Sequence, residues 1–393
     1  MGAEKTLTLE GKRAFDEAEL LIGAKRMTDA VQRPGQMVLH EYRSDKIVEY
    51  IKAHPQYRTV AIALSGDVGF YSGARKLMDL LDGDVQVICG ISSVVYFMAK
   101  IGLSWDDAKI VSAHGRACNL ISLIRHNPKV FSILGTEDGV ARLASRLVAY
   151  GMGDVTLYVG ENLSYENEKI FHASAAELTE YRGDALSVVT ACNEMAVPLP
   201  AVHGICDEEF LRGKAPMTKE EVRTVSLSKL RLQEDSVCYD VGAGTGSVSV
   251  EMALRAWKGQ VYAIEKKEDA LDLLKENKSK FATDNLEIVP GTAPEAMVEL
   301  PVPTHAFIGG SSGNMNEIIR LLLDKNPGVR IVINCITLET VTEAMNAIRD
   351  FSLTDVDIVQ LSAARSKSIG RYHMMMGENP IYIISCSGRG EEI

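Results

Sequence analysis

Short apolar runs rich in β-branched residues alternate along the chain with segments whose apolar residues have helical spacing. The runs in the first half are TVAIALSG, DVQVICG, AKIVSA, KVFSILG, DVTLYVG and LSVVTAC. Those in the second half are SVCYDVG, QVYAIEK, LEIVPG, HAFIGG, RIVINCI and a late NPIYIISC. Because apolar runs without polar alternation suit parallel strands covered on both faces, the pattern predicts an α/β chain.

The segment NEMAVPLPAVHG interrupts the alternation, because it has two prolines and no period, as is typical of a linker. A chain of 393 residues is also too long for one ordinary domain. We therefore predict two domains, residues 1–200 and 203–393. Directly after the linker, TKEEVRTVSLSKLRL predicts a helix that starts with a capping box, with Thr218 as N-cap and Glu221 three residues on.

Composition excludes several classes of protein. The formal net charge of −11 argues against a nucleic-acid partner, which needs a basic face. Seven cysteines without a C-x-x-C pair argue against a disulfide framework or a structural zinc site, and we predict no metal. No apolar run approaches a membrane span and the start of the chain lacks signal-peptide features. These features predict a cytoplasmic protein without a membrane partner.

A glycine-rich turn, Gly242-Ala243-Gly244-Thr245-Gly246, joins the strand SVCYDVG to a helix. A dinucleotide-binding turn has the form G-x-G-x-x-G, and here the third glycine comes one residue early, which argues against a nicotinamide oxidoreductase. Asp240 would repel a phosphate and suits an amino group instead, while Glu265 closes the next strand, where a carboxylate can accept ribose hydroxyls. The set predicts S-adenosylmethionine as cofactor. The alternative is that Asp240 caps a helix and Glu265 is a surface residue.

The motifs PMTKEEVR, DVGAGTGSVSVEMA, VYAIEK, GTAPEAM, FIGGSSGNMNEI and TLETVTEAM resemble the decarboxylating precorrin methyltransferases of cobalamin biosynthesis, over His203 to Ser387. In the first half, LSGDVGFYSGARKL, ICGISSVVYFMAKIGLSWDDAKIVSAHGR and YVGENLSYENEKI resemble the tetrapyrrole methylases, particularly the precorrin carbon-5 methyltransferases. The two modules occur fused in this order. The resemblance implies a tetrapyrrole methylase fold of two α/β subdomains with a cleft, followed by a class I Rossmann-like methyltransferase domain.

The implied activity is methylation of precorrin-6B, or of its cobalt complex, at carbons 5 and 15, with decarboxylation of the ring C acetate. The resemblance assigns carbon 5 to the first half and carbon 15 with decarboxylation to the second. Two rival hypotheses remain open: an RNA methyltransferase, and a single-activity enzyme whose N-terminal half only binds the intermediate. The C-terminal family commonly forms tetramers, so we expect self-association through that half.

In the second half the resemblance implies both cofactor and substrate contacts. The cofactor residues are Thr218, Asp240, Gly242, Ala243, Gly244, Thr245, Gly246, Glu265, Gly291 and Ala293. The substrate residues are Gly309, Gly310, Ser311 and Gly313, and the candidate catalytic residues are Glu339, Arg365, Arg371 and His373. For three features a structural role stays open: Thr218 as a plain helix cap, Glu339 as a helix-initiating acid, and the basic tail as a solvated loop.

In the first half Ser65, Gly66 and Asp67 end a strand, and Ser92 and Ser93 open a helix, so the resemblance implies cofactor contacts there. Simple N-caps are the alternative for the two later serines. The implied substrate residues are His114, Arg116 and Glu161. The family also begins with a strand ending in Gly-x-Gly-Pro-Gly, whereas this chain starts MGAEKTLTLEG, at about the last of those glycines. We therefore expect an unfilled strand position at the middle of the first sheet, or a distorted neighbour.

Overall fold

A computed structural model describes residues 2–113, 118–199 and 202–389. The predicted α/β class is confirmed, with helices packed on mixed and parallel sheets. The described residues form two compact units, one of residues 2–113 and 127–197 and the other of residues 118–126, 198–199 and 202–389. The division near residue 197 lies close to the predicted boundary, but the segment 118–126 falls in the second unit.

The first unit begins with a parallel sheet of three strands, β1 (Leu20–Gly23), β2 (Met37–His40) and β3 (Val60–Ala63), in the order β2-β1-β3. Its helices are α1 (Leu9–Glu17), α2 (Lys25–Thr28), α3 (Ser44–Ala53) and α4 (Ala74–Met78). Leu20 and Ile22 pack on one face with α3 and α4, while Leu21 packs on the other face with Met27 and Ala63. Both faces of this sheet are therefore covered, as apolar strands require.

The run DVQVICG, predicted to be a strand, forms none. Val85 and Val87 within it are 44% and 49% exposed, and β3 has a free edge in the sheet of the described residues. The prediction of a strand here is wrong because strand structure needs a neighbouring ladder, which propensity alone does not supply.

The second sheet of the first unit is mixed, in the order β4-β5-β8-β6-β7. Its strands are β4 (Lys109–Ser112), β5 (Lys129–Ile133), β6 (Thr156–Glu161), β7 (Lys169–Ser174) and β8 (Ser187–Cys192), and its helices are α5 (Ser93–Ile101) and α7 (Gly139–Ala149). Only the β4–β5 pair is parallel among these described strands. The expectation of parallel strands is wrong for β6 and β8, whose apolar runs form antiparallel pairs.

The second unit contains a seven-stranded sheet in the order β11-β10-β9-β12-β13-β17-β14. Its strands are β9 (Val237–Val241), β10 (Gln260–Glu265), β11 (Leu286–Pro290), β12 (His305–Ile308), β13 (Arg330–Cys335), β14 (Thr354–Leu361) and β17 (Ile381–Ser387). The strands β9 to β13 are parallel, and β17 is antiparallel to both of its neighbours, β13 and β14. The chain order reverses between β9 and β12, which is where doubly wound sheets bind ligands.

Helices cover both faces of the large sheet. They are α8 (Glu220–Leu230), α9 (Ser247–Arg255), α10 (Glu268–Lys280), α11 (Met315–Lys325) and α12 (Leu338–Asp350). One buried cluster joins α11 and α12 to the sheet, and a second joins α8, α9 and α10 to the opposite face. The strand ends that carry the predicted site residues are therefore held between two packed layers.

Helix α6 (Leu120–His126) follows β4 in the chain but belongs to the second unit. The fully buried Asn119 at its start donates from Nδ2 to Asn285 Oδ1 at 2.8 Å and to the Ala282 carbonyl at 3.3 Å. Its backbone N–H donates to the Trp257 carbonyl at 2.8 Å. Buried hydrogen bonds of this kind tie the segment to the C-terminal half, which the linear order of the chain does not suggest.

Two local predictions in the second unit are wrong. The N-cap of α8 is Lys219 rather than Thr218, and no side chain caps this helix start. The basic tail is not a loop but an antiparallel hairpin of β15 (Ala364–Ile369) and β16 (Tyr372–Gly377). The hairpin turns at Gly370, whose φ is +62°.

Candidate functional site

A cavity of about 640 Å³ opens at the carboxyl ends of the parallel strands of the second unit. It is lined by the turn after β9, the ends of β10, β11 and β12, and the segment before α8. Of the predicted cofactor residues, those lining it are Thr218, Gly242, Ala243, Gly244, Glu265, Gly291 and Ala293. Of the predicted substrate residues, Gly309, Gly310 and Ser311 line it too. The structure thus brings together residues that are widely spaced in the sequence.

The backbone of the glycine turn requires glycine at each of its three positions. Gly242, Gly244 and Gly246 have φ values of +76°, +57° and +78°. A Cβ at Gly244 would lie 2.6 Å from the Pro216 carbonyl oxygen, and one at Gly246 would lie 2.0 Å from Leu274 Cδ1 of α10. The first two glycines therefore keep the turn close to the cavity wall, and the third lets α9 pack against α10.

Glu265 ends β10 at the cavity and is 8% exposed. Its Oε2 accepts a hydrogen bond from the Gly244 N–H at 2.9 Å, and its Oε1 accepts from the N–H groups of Lys266 at 2.8 Å and Lys267 at 3.0 Å. These bonds fix the orientation of the carboxylate. Each oxygen still has acceptor capacity for a ligand hydroxyl.

Asp240 lies beneath the turn, is fully buried, and does not line the cavity. Its Oδ2 accepts a hydrogen bond from the Ser249 hydroxyl, while its Oδ1 has no partner among the described residues. Burial raises the pKa of Asp240 to about 7, with the nearby charge of Glu265 acting in the same direction. An incompletely paired buried carboxyl group favours a cation nearby. Together with Glu265 and the close-packed turn, it fits the positively charged S-adenosylmethionine.

Two more of the predicted site residues, Thr245 in the glycine turn and Gly313 in the loop after β12, have structural roles. Thr245 is fully buried, and its carbonyl accepts a hydrogen bond from Asn277 Nδ2 at 2.9 Å. Gly313 has a φ of +88°, and its N–H donates to Ser311 Oγ at 3.4 Å. Neither residue lines the cavity. By contrast, Gly310 does, and a Cβ there would meet no atom within 4 Å, so this part of the loop is open.

The four candidate catalytic residues do not line the cavity. Glu339 is exposed in the first turn of α12, consistent with its alternative role as a helix-initiating acid. Arg371 and His373 are exposed on the hairpin, and Arg371 Nη2 donates to the Tyr372 hydroxyl at 3.0 Å. Arg365 instead binds Glu221 through Nε at 3.1 Å and Nη2 at 2.8 Å.

Sequence reasoning missed the cations that do reach the cavity, Lys219, Lys266 and Lys267, and the acid Glu378. Lys266 Nζ donates to Ser312 Oγ at 2.9 Å, and so links the end of β10 to the loop after β12. Ser312 has a φ of +54°, a conformation unusual for a residue with a side chain. The available signal was position: Lys266 and Lys267 directly follow the predicted ribose-binding acid.

In the first unit, two of the predicted cofactor residues accept hydrogen bonds from backbone N–H groups. Asp67 Oδ1 accepts from the Gly69 N–H at 2.8 Å, and its Oδ2 accepts from the Gly90 N–H at 3.1 Å. Ser92 is the N-cap of α5, and its hydroxyl accepts from the Val95 N–H at 3.4 Å. Ser93 is the first residue of that helix. Ser65 is exposed and Gly66 has a φ of +81°.

Glu161, a predicted substrate residue, ends β6 and is 2% exposed. Its Oε2 accepts from the Tyr181 hydroxyl and its Oε1 from the Asp184 N–H, both at 3.1 Å. These bonds give the carboxylate a structural role in the loop before β8. The other two predicted substrate residues of this half, His114 and Arg116, lie outside the described residues.

Two further features are absent from the described residues. No helix among residues 2–113, 118–199 and 202–389 is long and apolar enough to cross a membrane. Within the same part of the chain, no group of three or more histidine, cysteine, aspartate and glutamate side chains could hold a metal ion.

Comparison with known proteins relates both halves to tetrapyrrole chemistry. Residues 209–387 match the family described as "Precorrin methyltransferase domain", and residues 1–179 match "Tetrapyrrole (Corrin/Porphyrin) Methylases". A probable cobalt-precorrin-6B C(15)-methyltransferase (decarboxylating) of Pyrobaculum calidifontis is 44% identical over 188 residues, which cover 47% of this chain and 96% of that protein. The corresponding Salmonella typhimurium enzyme is 41% identical over 182 residues, 46% of this chain and 94% of that protein.

Among solved structures, the crystal structure of a precorrin-6y C5,15-methyltransferase from Geobacter metallireducens has 40% sequence identity and a TM-score of 0.44, and covers 47% of this chain and 95% of that one. The sequence matches to nearly whole relatives confirm the resemblance on which the expected fold rested. The chain therefore belongs to the family of decarboxylating precorrin methyltransferases, and its residues 1–179 are similar to the tetrapyrrole methylases.

Proposed function

We propose that the chain methylates precorrin-6B, or its cobalt complex, at carbon 15 in its second unit and at carbon 5 in its first, using S-adenosylmethionine. The second unit also removes carbon dioxide from the ring C acetate. The observation that carries the proposal is the cavity at the switch point of the seven-stranded sheet, where the glycine turn and Glu265 meet. Membership of the decarboxylating family supports the choice of reaction.

S-adenosylmethionine supplies an electrophilic methyl group on a sulfonium, so the chain mainly has to align it with the accepting carbon. Glu265 is held by three backbone N–H groups and can bind the ribose hydroxyls. Asp240 and Glu265 provide negative charge close to the turn, which favours a cationic ligand over a neutral one. The turn itself brings backbone rather than side chains to the ligand, because a Cβ at Gly244 would collide with the wall.

The substrate lies, in this proposal, over the open loop of Gly309, Gly310 and Ser311. Leaving of the acetate carboxyl group as carbon dioxide transfers its bonding electron pair into the conjugated macrocycle and leaves the arm as an exocyclic methylene. The electron-rich ring then has a more nucleophilic carbon 15. The methylene becomes a methyl group only after methyl transfer, by taking up a proton as the macrocycle releases one. Among the residues lining the cavity, Lys219, Lys266 and Lys267 are positively charged and suit a substrate rich in carboxylates.

The decisive experiment titrates the full chain with S-adenosylmethionine by calorimetry and then measures carbon dioxide release from precorrin-6B. We expect two binding sites per chain and release of carbon dioxide that depends on the cofactor. One site would restrict methylation to a single unit and leave the other as a binding domain. No binding would overturn the methyltransferase proposal for this chain.

We also propose that the chain forms homo-oligomers through the C-terminal unit. The hairpin of β15 and β16 exposes a group of large apolar side chains, Ile369, Tyr372, Met374, Met375 and Met376, between 48% and 66% exposed. A two-stranded hairpin has little stability alone, and an exposed apolar group of this kind suits a second copy of the same surface. Analytical ultracentrifugation of wild type and the double variant Met374→Ser/Met376→Ser tests this. A monomeric wild type would contradict it.

A further inference from the structure

Two segments distant in sequence both contribute to the cavity lining in the second unit. The first is Pro216–Lys219, immediately before α8, and the second is residues 377–379 with Ile381, immediately after the hairpin. We call them the entry wall and the hairpin wall. The Glu378 N–H donates to the Ala363 carbonyl at 2.9 Å, so the hairpin wall is the base of the hairpin itself. The position of the hairpin therefore affects the shape of the cavity.

Arg223 of α8 is hydrogen-bonded to the entry wall. Its guanidinium is fully buried, and its Nη1 donates to the Thr218 carbonyl at 2.6 Å and to Asp207 Oδ1 at 3.1 Å. Its Nε donates to Glu251 Oε1 at 2.6 Å, and its Nη2 to the Ile205 carbonyl. A buried arginine whose three nitrogens all donate in this way fixes the groups around it.

Arg365 joins the hairpin wall to the same cluster. Its side chain lies 33% exposed on β15 and forms a bidentate pair with Glu221, which lowers the pKa of that carboxyl group. Its Nη1 lies 3.4 Å from Asp207 Oδ2, an oxygen with no hydrogen-bond partner among the described residues. Asp207 is 1% exposed. Because Oδ1 pairs with Arg223 and Oδ2 with Arg365, its carboxylate bridges the two arginines.

We propose that Arg365 is a positioning residue for cofactor binding: through Glu221 and Asp207 it fixes the hairpin wall against the entry wall. This inference rests on the proposed function of the cavity. It replaces the catalytic role expected from the sequence, because the hydrogen bonds and ion pairs of Arg365 are to Glu220, Glu221 and Asp207, which do not line the cavity. A cavity whose two walls are fixed before binding loses less conformational freedom when the ligand enters.

The test measures the Kd of S-adenosylhomocysteine on the full chain by calorimetry for Arg365→Gln, Glu221→Gln and the double variant. We expect each single variant to raise Kd about tenfold, equivalent to about 1.4 kcal/mol. The double variant should be no weaker than either single one, since both remove the same link. The matched control is Lys367→Gln, an exposed cation two residues along the same strand, which should bind as wild type.

Kinetics separate positioning from catalysis. Arg365→Gln should raise the KM for S-adenosylmethionine and leave kcat at saturating cofactor within about twofold, and Arg365→Lys should restore part of the affinity. Wild-type affinity in Arg365→Gln, additive effects in the double variant, or a fall in kcat without a change in Kd would each overturn the inference. Failure of the wild type to bind S-adenosylhomocysteine would instead overturn the proposed function.

Discussion

The two units place similar predicted residues in different settings. In the second unit, the glycine turn, Glu265 and the loop after β12 line one cavity at the switch point of a seven-stranded sheet. In the first unit, Asp67 accepts hydrogen bonds from the N–H groups of Gly69 and Gly90. The three-stranded sheet of this unit has a free edge at β3, as far as the structure describes the chain. The loops of the first unit are therefore hydrogen-bonded to each other, whereas those of the second line a cavity.

The difference shows that a cofactor loop depends on the strands beside it as much as on its own residues. The turn after β9 is fixed by neighbours on both sides: the N–H of Gly242 donates to the Ile264 carbonyl at 3.0 Å, and that of Gly309 donates to the Val241 carbonyl at 2.9 Å. In the first unit, the run 84–90 forms no strand beside β3, and Gly90 is held only near the Asp67 loop. The comparison predicts that the second unit binds cofactor more tightly than the first.

The largest expected effect is that of Gly244→Asp, which changes the cofactor site of the second unit and leaves the first unit unaltered. The new Cβ would lie 2.6 Å from the Pro216 carbonyl, φ is +57°, and the added charge would sit beside Glu265. We expect the Kd of the C-terminal site for S-adenosylmethionine to rise at least about a hundredfold, or about 2.7 kcal/mol, in calorimetry. Any site in the first unit should keep its affinity.

The matched control is Gly310→Ala, at a cavity position where an added Cβ meets nothing within 4 Å. It should keep the affinity for the cofactor and the melting temperature of the wild type. Retention of both sites by Gly244→Asp would show that the cofactor binds elsewhere than in this cavity.

A smaller effect is expected from Asp240→Asn, and it depends on pH. Asp240 has a pKa of about 7, raised by burial, so the free protein retains this proton below about pH 7. A bound cation stabilises the ionised form, so binding near pH 6 should release a proton and affinity should increase with pH by up to about tenfold per unit. Calorimetry in buffers of different ionisation enthalpy measures the released proton. The asparagine variant should show no release.

The same carboxyl group affects folding in a defined direction. The unfolded chain ionises Asp240 near its ordinary pKa of 3.8, while the folded protein keeps the proton to about pH 7. The folded state thus binds more protons in this window, and the free energy of unfolding should fall as pH rises from about 4 to about 7. Asp240→Asn should remove that part of the pH dependence in urea titrations. A variant with the wild-type slope would assign the slope to other groups.

The sequence predicted the second unit better than the first for a physical reason. Its strands and glycine turn are local patterns, and residues at the ends of parallel strands meet at one edge of the sheet. The capping box failed because Glu221 pairs with Arg365, more than a hundred residues away, which local spacing does not reveal. The hairpin in the basic tail was not predicted either, since charged and methionine-rich strands lack the usual apolar alternation.

In the first unit, the predictions that failed concern strand pairing. DVQVICG has strand propensity but no ladder, and β6 and β8 form antiparallel pairs although their runs are typical of parallel strands. The sequence also did not predict that Asn119 and α6 pack in the second unit, because this packing depends on buried hydrogen bonds between the amide side chains of distant segments. Pairing partners are tertiary information, and composition within a run does not specify them.

The smallest expected effect is that of Lys266→Met, and it sharpens the comparison by testing substrate rather than cofactor. Lys266 is an exposed cation at the cavity, linked to Ser312 at 2.9 Å, and it can pair with a substrate carboxylate. An exposed pair of this kind contributes about 1 kcal/mol, so the KM for precorrin-6B should rise about fivefold while the Kd of S-adenosylhomocysteine stays unchanged. The effect should shrink at high salt, because exposed charges are screened.

The control for Lys266→Met is Lys275→Met on α10, where the amine pairs with Asp272 at 3.0 Å and does not line the cavity. It should leave both constants unchanged. If Lys266→Met weakened cofactor binding instead, the lysine would act on the Glu265 side of the cavity, because its N–H also binds that carboxylate. If neither constant moved, the substrate carboxylates would have to be held by Lys219 or Lys267, the other two cations that line this cavity in the described part of the chain.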